Sequence, residues 1–156
     1  MAKTLNDLLD AAITDEIAAQ KFYLTALEKT NNVKLKELFK SLAKEEKSHE
    51  RILIGIIQMA MYDGSLPVDD ELIQKIEGAH VIPNGEPIEE MSLERAMEVA
   101  IKKENKASEV YDHMEHSSTE EELKKLFSSL SSDERRHALK IDEYYKIHTG
   151  QLGWDE

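Results

Sequence analysis

Glu46-Lys47-Ser48-His49 and Glu134-Arg135-Arg136-His137 are two copies of one motif, Glu-x-x-His, placed 88 residues apart in a chain of 156. Each copy falls on the apolar stripe of a helical pattern. The first stripe runs Leu35, Phe39, Leu42, Glu46, His49, Leu53, Ile56, Ala60, and the second Leu123, Phe127, Leu130, Glu134, His137, Ile141, Tyr144, His148. Steps of three and four keep these residues on one helix face. Thirty residues before each motif stands a lone acid on another such stripe: Glu16 in Leu5, Leu9, Ala12, Glu16, Ala19, Tyr23, Leu27, and Glu104 in Leu93, Met97, Ala100, Glu104, Ala107, Tyr111, Met114. Glu16 and Glu104 are again 88 apart.

Four amphipathic stripes predict an all-α four-helix bundle occupying residues 1–150, with residues 151–156 as a C-terminal tail in which Trp154 docks back on the bundle. Thr4 with Asp7 forms a capping box for the first helix, and Thr119 with Glu122 one for the fourth. Asn31-Asn32 ends the first helix and caps the second, which runs from Val33 to Tyr62 and stops at Asp63-Gly64. The third helix opens at Ser92, and Thr149-Gly150 ends the fourth. Residues 65–91 differ in kind. Pro67, Gly78, Pro83, Gly85 and Pro87 all lie there, and Asp69 or Asp70 could cap a short helix through Glu77. A connection this long suits a bundle whose second and third helices are parallel neighbours joined by a crossover. Phe39/Phe127, Ser41/Ser129, Leu42/Leu130, Tyr23/Tyr111 and Ala12/Ala100 repeat at the same offset of 88, so the halves are a duplicated helical hairpin around a pseudo-twofold axis.

Burying one unpartnered carboxylate costs several kcal/mol at least. Four facing one another would repel as well, and no Lys or Arg occupies any of the four stripes. Two divalent cations would neutralise the four charges. Residues three apart on a helix reach the same neighbourhood, so each motif can offer an oxygen and a nitrogen together. Glu16, Glu46, His49, Glu104, Glu134 and His137 are therefore the candidate ligands of two metal ions. Carboxylate plus imidazole without thiolate suits iron or manganese, with zinc an alternative on affinity grounds. Glu77-Gly78-Ala79-His80 is a third match to the motif; it lies in the Gly/Pro-rich crossover and reads as accidental.

Tyr23 and Tyr111 read as core residues with bonded hydroxyls, a contact to a ligand being the alternative. His113, His116 and His148 read as surface residues, and Met59, Met61, Met91, Met97 and Met114 as core filler. Glu45, Glu50 and Asp133 flank the motifs but fall off the stripes; solvation is the preferred reading and contact with a ligand the alternative, whereas Lys36, Lys40, Lys44, Lys47 and Arg51 read as solvated. A net charge of −12 argues against nucleic acid as a partner, because phosphate binding needs clustered cations. The longest uncharged apolar run, Ile52–Ala60, is far short of the roughly 20 residues of a membrane span. No apolar signal segment stands at the N-terminus, and there is no cysteine, which fits a reducing compartment.

On these residues the chain resembles the ferritin-like di-iron carboxylate superfamily, and within it the rubrerythrins. The resemblance implies an iron pair, with Glu46 and Glu134 bridging, Glu16 and Glu104 terminal, and one imidazole, His49 or His137, for each metal. It implies an oxidoreductase that reacts with hydrogen peroxide or oxygen, in a cytoplasmic protein that dimerises. Rubrerythrins proper carry a four-cysteine rubredoxin site; this chain has none, so electrons would come from a separate donor protein. The family also has an extra Glu one turn after the first ligand of the third helix, where this chain has Ala107, with Ala19 its repeat-mate. Iron storage by a ferritin-type ferroxidase, and a non-enzymatic metal-stabilised bundle, are the alternative functions.

Overall fold

The computed structural model describes residues 4–59 and 86–153. Four helices account for most of them: α1 (Leu5–Leu27), α2 (Val33–Met59), α3 (Leu93–Ser117) and α4 (Glu121–His148), with a turn of 3-10 helix at Ile88–Glu90 before α3. Among the described residues no helix is long and apolar enough to cross a membrane.

The helix ends follow the local chemistry. The Thr4 hydroxyl accepts from Asp7 N while the Asp7 carboxylate accepts from Thr4 N at 2.8 Å, closing the expected box. The Asn32 side chain accepts from Leu35 N at 3.1 Å, and the Ser92 hydroxyl from Arg95 N at 3.0 Å. At the end of α4, Gly150 has φ 84°, a conformation open to glycine at little cost. The box expected from Thr119 and Glu122 does not form. The Ser118 hydroxyl donates to Met114 O at 2.6 Å and closes α3, the N-cap of α4 falls on Glu120, and the Thr119 hydroxyl turns to the Glu120 carboxylate. The register is one residue too late for the box.

Pairwise contacts fix the helix directions. Tyr23 of α1 meets Glu104 of α3 while Tyr111 of α3 meets Glu16 of α1, so α1 and α3 are antiparallel. His49 of α2 meets Asp133 of α4 while His137 of α4 meets Glu45 of α2, so that pair is antiparallel too. Tyr23 stacks with Phe39 within the first hairpin, and Tyr111 with Phe127 within the second. Together these relations make α2 and α3 parallel, as a long crossover requires. Its described end packs under the α1–α2 turn: Ile88 and Met91 are buried, and Lys29 Nζ donates to Met91 O at 2.7 Å. The expected end of the second helix, the short helix through Glu77, the third Glu-x-x-His match, Met61 and Trp154 lie outside the described residues.

The core has two apolar layers. One gathers Phe22, Tyr23, Phe39, Leu42, Met97, Ala100 and Ile141; the other Leu9, Ala12, Leu53, Tyr111, Phe127 and Leu130. The stripes locate these layers but are narrower than the buried surface, which also takes in Leu8, Phe22, Ala26, Leu38 and Val110. Met91, Met97 and Met114 are core residues as expected, whereas Met59, off the stripe of α2, is exposed. Lys36, Lys40, Lys44, Lys47 and Arg51 face solvent, and His113, His116 and His148 are exposed.

Candidate metal centre

Between the two apolar layers lies a polar one. Glu16, Glu46, His49, Glu104, Glu134 and His137 are each 3% exposed or less, so all six sequence candidates are brought together in the interior. They form two groups whose ligand-type atoms lie within 4.8 Å of one another: Glu16, Glu46, His49 and Glu134 in one, and Glu46, Glu104, Glu134 and His137 in the other. Glu46 and Glu134 belong to both. The arrangement follows from helix geometry, since each Glu-x-x-His puts its two side chains on one face and antiparallel packing of α2 on α4 makes the two motifs face each other.

The inner atoms are close but are not hydrogen-bonded. His49 Nδ1 lies 2.7 Å from Glu134 Oε1, 3.4 Å from Glu46 Oε1 and 3.6 Å from Glu16 Oε1. His137 Nδ1 lies 3.2 Å from Glu46 Oε1 and 3.4 Å from Glu104 Oε2. Among the described residues seven buried side-chain atoms make no hydrogen bond of acceptable geometry, and six of them belong to these groups: Glu16 Oε2, Glu46 Oε1, Glu104 Oε2, Glu134 Oε1, and Nδ1 of both imidazoles. Buried polar atoms are almost always satisfied. Six that converge without bonds are compatible with cations between them, and the donor set of four carboxylates and two imidazoles fits a pair of such ions.

The outer atoms, by contrast, are held firmly. His49 Nε2 pairs with Asp133 at 3.0 Å and His137 Nε2 with Glu45 at 2.8 Å, which sets both rings with Nδ1 inward. The rings stack 5.8 Å apart. Arg136 spans the two carboxylates, reaching Glu45 at 2.9 Å and Asp133 at 3.2 Å. Glu45 and Asp133 are thus not the solvated residues their off-stripe positions suggest. Each leans across from its own helix to the imidazole of the other, an outcome set by the closeness of α2 and α4. The offset of 88 between them was the signal that could have found them. Glu50 is bound as well, by Gln20 at 2.8 Å and Lys47 at 3.3 Å.

On the opposite side the tyrosine hydroxyls donate to the outer acids, Tyr111 to Glu16 at 2.5 Å and Tyr23 to Glu104. Both readings of these tyrosines hold at once, since the rings are core and the hydroxyls touch candidate ligands. A cleft of about 40 Å³ runs between α1 and α3, past Ala12, Ala19, Ala107 and Lys103, and reaches down to Glu46 and Glu134. That is room for water-sized molecules and not for a large organic substrate.

Burial opposes charge throughout the layer. At His49 it is outweighed by Glu16, Glu46 and Asp133, which push the imidazole up to about 9. At His137 Glu104 and Glu46 outweigh it further, to about 11. Burial, then repulsion from neighbouring carboxylates, holds Glu46 and Glu134 well above the usual carboxylate range. Glu104 goes the other way: the adjoining His137 and Glu134 and the bond from Tyr23 overcome its burial and lower it. Burial and the facing acids push both phenols up, so they stay protonated and remain donors. Without metal, protons are what reconcile these six groups.

Comparison with known proteins agrees with this geometry. The chain matches the rubrerythrin family model over residues 7–145. A hypothetical protein from Pyrococcus furiosus has a similar structure, with a TM-score of 0.73 and 25% sequence identity over 96% of this chain and 93% of that one. No curated protein matches the chain. With a family match that spans all four helices, the chain belongs to the rubrerythrin family, within the ferritin-like di-iron carboxylate superfamily.

Proposed function

We propose that Glu16, Glu46, His49, Glu104, Glu134 and His137 hold two iron ions and that the protein is an oxidoreductase reducing hydrogen peroxide or oxygen. The observation that carries this reading is the set of six buried ligand atoms lacking hydrogen bonds, which fall into two groups sharing Glu46 and Glu134. On this reading Glu46 and Glu134, common to both groups, would be shared by the two ions, while Glu16 with His49 and Glu104 with His137 would each hold one. When bound, two ferrous ions supply the two electrons that convert one peroxide and two protons into two waters.

The chain's own residues do the rest. Asp133 and Glu45 keep the imidazole Nδ1 atoms turned inward. Tyr111 and Tyr23 steady the outer carboxylates while leaving one oxygen of each free to coordinate. The alanine-lined cleft admits a molecule the size of peroxide and excludes larger ones. On this reading a separate donor protein returns the electrons. On the same reading the protein works as a cytoplasmic homodimer without nucleic-acid or membrane partners.

The test is anaerobic loading with ferrous iron followed by peroxide. Two irons bound per chain, rapid oxidation by stoichiometric peroxide and repeated turnover with a reductant are expected. A chain that takes up no iron, or whose iron stays ferrous in peroxide, would overturn the proposal.

A further inference from the structure

The two imidazoles connect the buried groups to the surface through side chains. From each inward Nδ1 the ring leads to Nε2 and then to a carboxylate, Asp133 at 3.0 Å from His49 and Glu45 at 2.8 Å from His137. Arg136 takes both carboxylates, at 3.2 Å and 2.9 Å, and its side chain is 52% exposed. Residues three and four away share a strip of helix surface with Glu45 and Asp133. On α2 these are Ser41 and Ser48, on α4 Ser129 and Arg136, and all four are exposed. With three short hydroxyl side chains around it, the guanidinium is open to contact from outside. Lys44 borders the strip between Ser41 and Ser48, and Lys140 continues it one turn past Arg136; both are exposed. Although the chain carries a net charge of −12, α2 and α4 hold twelve Lys or Arg against eight acids outside the six interior groups.

We infer that the electron donor docks on this α2–α4 face, centred on Arg136, and that the donor is a small one-electron carrier protein with an acidic surface. The inference rests on the proposal that the six interior groups hold a redox-active metal pair. The face is joined to both inward nitrogens by an imidazole, a carboxylate and two hydrogen bonds, a short bonded route for an electron. Its cations steer an acidic partner toward it and turn a basic one away. It lies on the side of the site opposite the α1–α3 cleft, so a docked protein leaves the way open for the small oxidant. Each encounter passes one electron from a reduced carrier to one ferric ion. Two encounters restore the ferrous pair that one peroxide has oxidised.

The probe is a reduced plant-type two-iron, two-sulfur ferredoxin, an acidic carrier of low potential. Carbodiimide joins lysine amines to carboxylates that face them. Cross-linking ferredoxin to the iron-loaded full-length protein, followed by peptide mass spectrometry, should join it at Lys44 and Lys140 and not at Lys102 and Lys106 of α3, which are exposed as well. In stopped flow, re-reduction of the peroxide-oxidised protein by ferredoxin should slow as salt is added. It should slow about tenfold or more in the double variant Lys44→Glu with Lys140→Glu, and by no more than about twofold in Lys102→Glu with Lys106→Glu. Oxidation by peroxide should be unchanged in both. Cross-links centred on α3, no cross-links, a rate unmoved by the Lys44 and Lys140 reversals, or no re-reduction by ferredoxin where dithionite reduces the same sample would overturn the inference and leave the di-iron reading standing. Iron that is not taken up, or that stays ferrous in peroxide, would overturn both.

Discussion

The α1–α3 interface and the α2–α4 interface approach the same six groups from opposite sides with opposite chemistry. Between α1 and α3 the neighbours are chiefly alanines and two protonated phenols, with Asp15 and Lys103 along the lining, and a cleft reaches the carboxylates. Between α2 and α4 the neighbours are charged, with Glu45, Asp133 and Arg136 forming an ion-paired cover over two stacked imidazoles. The difference separates two tasks. The charged side orients the two imidazoles, which would otherwise rotate. The alanine-lined side leaves space for a small molecule.

The largest effect expected is from a residue common to both groups. Glu46→Gln should lose both metals, read by metal analysis of protein purified after growth with iron. The same change removes a repelling acid, so the metal-free variant should melt at a higher temperature than the metal-free parent. Function and stability pull apart at this residue.

Next in size is the pH dependence of the metal-free protein. His49 and His137 titrate higher folded than unfolded, so their contribution is complete below about pH 6.5 and is lost as pH rises through about 9 and 11. Glu46 and Glu134, also raised, act in the same direction. In chelator the melting temperature should fall on going from pH 6 to pH 10, by an amount on the order of several kcal/mol in stability. Rising stability over that range would contradict the proton-for-metal picture.

Smaller effects distinguish the two sides. Asp133→Ala should loosen His49 and weaken metal binding by roughly 10- to 100-fold, measured by competition with a chelator. Arg136→Ala should cost less, because Glu45 and Asp133 keep their imidazoles without it and the arginine is half exposed. On the other side, Tyr111→Phe should cost about 1–2 kcal/mol of metal-free stability through the lost bond to Glu16. Its effect on metal affinity should be smaller than that of Asp133→Ala. If the tyrosine change were the more damaging to metal binding, the assignment of orienting work to the charged side would be wrong.

The equal spacing of 88 residues, with the apolar stripes, was sufficient to read four helices, a duplication and the six buried acids and imidazoles that gather in the interior. Period 3.6 decides which residues share a face, and a buried acid on an apolar face is conspicuous without any knowledge of its neighbours. Local chemistry likewise marked the caps at Thr4, Asn32 and Ser92. It misled at Thr119, where a competing local bond, from the Ser118 hydroxyl back to Met114 O, closes α3 and the N-cap of α4 falls one residue later, on Glu120.

What the sequence by itself determined is the inventory: which helices, which faces, which acids and imidazoles turn inward, and that the two halves are alike. What only the tertiary structure decided is who meets whom across helices. Glu45 and Asp133 sit off their own stripes, and whether such a side chain meets water or a facing imidazole depends on the separation of α2 and α4. That separation is set by the summed packing of two distant apolar layers. Periodicity is a property of one helix; the partner of a side chain at a helix edge is a property of the pair.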